Sequence, residues 1–165
     1  MNKQEILEKI NKTEECLANI KKMLTECEYG RWKPEKDEMF YYINSYNLVI
    51  PETWDAGCYS DTTRWNIYNC FKTREKAGQE AENILVRRML EDIARRLNKG
   101  EKPDWIKCYQ KKYYLGYDQV NSKITLECRT TIIAQGTVYC LDDNFLDVAI
   151  QEIGEERLKK YLRGE

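Results

Sequence analysis

The chain has 165 residues and a formal net charge of −1, with 42% hydrophobic and 12% aromatic side chains. That apolar content can fill a core, which excludes wholesale disorder, and the length fits one domain or two small halves. Bulk charge marks the chain neither as a polyanion binder nor as an acidic nucleic-acid mimic, and no apolar run approaches the ~20 residues of a membrane helix. The polar start MNKQEILEKI is not a signal peptide, so a cytoplasmic location and no membrane contact are expected. Seven cysteines, odd in number and without a C-x-x-C pair, fit reduced thiols in that compartment. Cys70, Cys128 and Cys140 fall in apolar strand patterns and read as buried thiols. With no histidine in the chain, neither a metal site nor a cofactor is expected.

Residues 2–28 form the first predicted element, an amphipathic helix. Ile6, Ile10, Thr13, Leu17, Ile20, Leu24 and Cys27 follow alternating steps of four and three, a heptad seam. Asn2 and Glu5 make a start resembling a capping box. Leucine at a with isoleucine at d leans toward three or four strands over a parallel dimer. The helix therefore predicts a homo-oligomer, dimer to tetramer, held by Ile6, Ile10, Leu17, Ile20 and Leu24. A helix packed on its own domain stays open as the other reading.

After a linker broken by Gly30 and Pro34, MFYYIN and NLVI read as two strands joined through Ser45-Tyr46-Asn47. Residues 51–63 read as irregular, and 64–71 as a strand in which Ile67, Asn69 and Phe71 alternate with Tyr68 and Cys70. Thr73 is a predicted N-cap, with Glu75 in the first turn and a long helix running to about residue 97. Asn98-Lys99-Gly100 and Pro103 punctuate its end. In the second half, 107–117, 124–128, 130–133 and 137–141 read as strands. Helices at 144–153 and 155–162 follow, split by Gly154. The fold class is thus α+β: a coiled-coil-like helix, then an antiparallel sheet with helices on one face. The domains divide as 1–28 for oligomerisation, then two α+β halves, 29–100 and 101–165, sharing one core. A fainter copy of 65–81 at 136–150 suggests a tandem repeat of a β-β-β-α unit, aligning Phe71 with Cys140, Thr73 with Asp142, Tyr41-Tyr42-Ile43 with Tyr113-Tyr114-Leu115 and Trp32 with Trp105.

Chemistry is sparse. There is no histidine base, no G-x-S-x-G elbow, no phosphate loop and no dinucleotide fingerprint, so no catalytic residues are expected and the chain reads as not an enzyme. Glu52 with Asp55 or Asp61 is a conceivable carboxylate pair, although loop acids are usually solvated. Trp54, Tyr59 and Arg64 are the candidate contact residues for a partner or ligand, because these types anchor interfaces and loops carry such sites. In that reading Trp65 belongs to the core. Arg88, Arg95, Arg96, Lys111 and Lys112, interleaved with tyrosines, form a candidate nucleic-acid surface spanning 87–112. Against this, Glu91 before Arg95 and Asp92 before Arg96 have the spacing of helix-surface ion pairs.

At WKP (32–34), YYI (41–43), NCFKTREKA (69–77) and above all EIGEERLKKYL (152–162), the chain resembles small accessory proteins of phages and prophages of Gram-positive bacteria. The resemblance covers most of 31–163 and supplies no catalytic or ligand residues. It implies a phage product in a bacterial host cell that binds and inhibits a defence component, as an anti-CRISPR-like inhibitor of a host protein. The alternatives are a sponge for a nucleotide immune signal and a nucleic-acid binder using the 87–112 surface.

Overall fold

The structure, a computed structural model, describes residues 12–14, 16–17 and 32–165. Its mixture of helices and antiparallel hairpins is α+β, as the sequence predicts. Of the expected heptad seam only Leu17 is described among the oligomerising positions. It is helical and 52% exposed. Ile6, Ile10, Ile20 and Leu24 lie outside the described residues.

The chain divides into two compact units: Met1–Asn44 with Val49–Ala77, and Ser45–Leu48 with Gly78–Glu165. In unit 1, β1 (Met39–Ile43) pairs antiparallel with β2 (Val49–Thr53), the hairpin expected from the sequence carried two residues past Pro51. Pro51 is tolerated because its partner Tyr41 directs its own N–H and C=O away from β2. They bond instead to the carbonyl and N–H of Phe71, at 2.9 and 2.8 Å. Two residues on, Ile43 points the same way, and the Asn69 amide meets its N–H and C=O at 2.8 and 2.7 Å.

This corrects the expected strand at 64–71. Residues Tyr59–Asn66 form a helix, α1, followed by a turn at Ile67 and Tyr68, and only Phe71 bridges to β1. The side chain of Asn69 stands in for a main-chain ladder, so the alternation there is not that of a strand. The core of unit 1 is small and aromatic, with Phe40 and Trp54 edge to face at 5.7 Å.

α2 (Arg74–Leu97) is the long predicted helix. Thr73 caps it as expected, its hydroxyl accepting the Lys76 N–H at 3.3 Å. Thr73→Ala should therefore cost about 1 kcal/mol, read as a shift in urea midpoint with unchanged slope. Gly100, at φ +82°, ends the helix by donating to the Arg95 carbonyl.

In unit 2, β3 (Lys112–Asp118) and β4 (Lys123–Arg129) form the second hairpin, turning at 119–122; the strand expected from 107 begins only at Lys112. The two hairpins are separate two-stranded sheets, not the single sheet expected from the sequence. The expected strands at 130–133 and 137–141 form no ladder; Cys140 alone bridges to Tyr113. α3 (Phe145–Ile153) and α4 (Glu155–Arg163) follow, broken at Gly154 with φ +94°. Asp142 does not cap α3. Asn144 holds that position, and Asp142 accepts the Asn144 N–H at 2.9 Å.

The unit 2 core joins Val86, Leu90, Ile93 and Ala94 of α2 to Leu115, Ile124, Cys140, Phe145, Ala149, Ile153 and Leu158. The 4, 3, 1 spacing on α2 is one apolar stripe turned inward. Cys140 is buried as expected, and burial pushes its thiol pKa up. Cys128 is exposed and Cys70 only half-buried, which corrects the other two thiol assignments. No described helix is long and apolar enough to cross a membrane.

Candidate functional site

The last turns of α2, the irregular segment after it and residues 133–139 enclose a cleft of about 560 Å³ in unit 2. That is within the usual size of a ligand or side-chain site, about 300–1,000 Å³. Neither irregular segment has a strand ladder, so side chains shape it. Asn98, at the end of α2, accepts the Leu141 N–H at 2.7 Å and the Cys140 thiol at 3.2 Å. This ties the helix end to the far wall. On the floor, Trp105 meets Tyr139 edge to face at 4.8 Å, and Tyr139 meets Tyr114 at 5.6 Å. The Tyr139 hydroxyl accepts the Ala134 N–H at 2.9 Å, folding the far wall over its own ring.

The lining sets Trp105, Tyr139, Val138 and Ile133 beside the polar Asn98, Gln135 and Thr137, and its charges cancel, with Glu91 and Glu101 against Arg95 and Lys102. Arg95 is ion-paired with Asp92, and Glu91 with Arg87 at 3.0 Å. At the mouth, Ile133 is 60% exposed, and its neighbour Ile132 63%. Behind residues 136–138 lies a second cavity of about 220 Å³ walled by Leu90, Leu115, Val138, Phe145 and Leu162. A third, of about 600 Å³, is lined mostly by polar and charged side chains, with Arg157 paired to Glu82.

Beside the floor, Glu127 accepts a hydrogen bond from the Tyr114 hydroxyl. That bond, with burial second, raises the Tyr114 pKa. Gly116 makes room for this carboxylate, since a Cβ there would lie 2.4 Å from Glu127 Oε1.

The residues singled out from sequence do not converge. Trp54 is 3% exposed, inside unit 1, which corrects its assignment as an accessible anchor. Arg64 stacks on Tyr42 at 3.8 Å and is ion-paired with Glu52 and Asp61 at 2.7 and 2.8 Å. The carboxylate pair conceived from sequence is thus joined by an internal arginine, with the Asp61 side chain also accepting the Asp55 N–H. Of Trp54, Tyr59 and Arg64, Tyr59 alone, 86% exposed, is open to a partner. Trp65, assigned to the core, is half-buried with Lys33 over its ring at 4.9 Å.

The basic surface is also altered. Arg96 pairs with Asp92 at 3.0 Å, as its spacing predicts, and with Glu152 at 2.6 Å. Arg95 takes Asp92 as partner in place of Glu91. Lys112 is fully buried and leaves the set; Arg88 and Lys111 remain exposed. Sequence reading passed over Trp105, Tyr139 and Ile133 as site residues. Their one signal was Pro103 and Trp105 directly after the helix stop, an aromatic placed in a loop.

No protein-family model, no curated protein and no solved structure matches the chain.

Proposed function

We propose that this is a non-enzymatic phage or prophage protein that binds and inhibits a bacterial defence component, in the manner of an anti-CRISPR, and that the unit 2 cleft is its contact surface. The observation that carries the choice of surface is the cleft's composition. A floor of Trp105 and Tyr139, a mixed lining with cancelling charges and the exposed Ile133 suit a protein segment better than a polyanion. Two further features support the protein reading over the nucleotide sponge and the nucleic-acid binder. Arg95 and Arg96 are engaged by acids, and Lys112 is out of solvent's reach.

The phage context rests on the resemblance alone. Its most specific block, 152–162, builds core, with Ile153 and Leu158 buried, so it speaks to fold more than to ligand. In the same reading the helix bearing Leu17 joins copies of the chain in the host cytoplasm. The two halves repeat one plan, a hairpin, a single bridging residue and a helix, a reading supported by the matched bridges Tyr41–Phe71 and Tyr113–Cys140.

The test is expression in bacteria that carry one active defence system each, with phage plaquing as readout. Restored plaquing with at least one system, CRISPR-based interference foremost, is expected. Folded protein that restores none across the panel would sink the proposal.

A further inference from the structure

We propose that Lys112, whose sequence context reads as a nucleic-acid contact, is the internal cation that positions the two irregular walls of the cleft. It is the first residue of β3 and is 0% exposed. Its Nζ donates to the Lys107 carbonyl at 3.0 Å and to the Thr130 carbonyl at 2.9 Å, and lies 5.2 Å from the Trp105 ring centre. Among the described residues no carboxylate is ion-paired with it; the nearby Asp104 pairs with Lys107 at 3.6 Å.

An ammonium is costly to bury, and a methionine would fill the same volume without that cost. What the lysine adds is directed N–H donors at the tip of a long stem. Those donors join one carbonyl from the wall carrying Trp105 to another at the head of the wall carrying Tyr139. The edge-to-face contact of Trp105 and Tyr139 therefore spans a join that Lys112 makes. Lys112 touches no partner in this account; it sets the separation of groups that do.

Hydrogen exchange on the full chain tests this without any partner. In Lys112→Met, amides of 104–111 and 130–139 should exchange about tenfold faster, while those of α2 and α4 keep their wild-type rates. Lys112→Ala removes the stem and the nitrogen together, and added propylammonium, which restores both, should recover protection in the two walls. Tetramethylammonium, charged but without an N–H, should not. Wild-type exchange in either wall of Lys112→Met, or a uniform rise across unit 2, would overturn the proposal. So would Lys112→Ala walls indifferent to propylammonium, or equally protected by tetramethylammonium. If Lys112→Met fails to fold, the propylammonium response decides. The relevance of this positioning to binding rests on the cleft being the contact surface. Because exchange involves no partner, failure of that reading and failure of this one are separate results.

Discussion

Trp54→Ala is expected to remove about 3–5 kcal/mol of stability from unit 1, the range for deleting a large buried aromatic. The ring is 3% exposed and packs edge-on against Phe40 at 5.7 Å. Its backbone is held too, with its N–H donating to the Glu38 carbonyl and its carbonyl accepting from Asp37. Phe40, Trp54, Ala77 and Pro34 are the buried apolar residues described in this unit, so little else can compensate. Stability of a small domain totals only about 5–15 kcal/mol, and a loss of this size is a large part of it. The measurement is exchange at 39–53 together with thermal melting. Protection and melting close to wild type would mean that Trp54 is a surface anchor after all.

Phe145→Ala should cost unit 2 a comparable amount, about 3–5 kcal/mol. Phe145 opens α3 with its side chain fully buried, in one cluster with Leu90, Leu115 and Leu158. It also lines the 220 Å³ pocket, so its removal enlarges that space. Urea titration reads the effect; a loss below about 1 kcal/mol would show that the surrounding helices collapse onto the space.

The parts of the fold legible in the sequence are those with local causes. Thr73 and Gly100 bound α2 because capping and left-handed turns depend on the residues at those positions. Gly154 splits the last helices for the same reason. Helix α1 was illegible because Thr62, Thr63 and Trp65 are weak helix formers. What supports it is tertiary and electrostatic: Arg64 bonds Asp61 one turn back and Glu52 on β2. Nor does period-2 alternation say which hairpins pair with which, so two separate sheets were read as one.

The candidate site was less legible than the fold. Residues 91–105 and 133–139 meet only after unit 2 has formed, and a lysine in sequence reads as surface. Lys112 departs from that rule because two carbonyls and a tryptophan face receive its nitrogen.

The most direct measurement of the central claim compares Ile133→Asp with Tyr59→Ala for retention of the inhibited defence component and for melting. Ile133 lies at the mouth of the unit 2 cleft and Tyr59 on unit 1; at 60% and 86% exposure, neither change should disturb a core. Ile133→Asp is expected to weaken retention by about 2 kcal/mol, roughly thirtyfold in affinity, with melting unchanged, while Tyr59→Ala binds as wild type. Full retention by Ile133→Asp, with loss at Tyr59→Ala, would contradict the account and move the contact surface to unit 1.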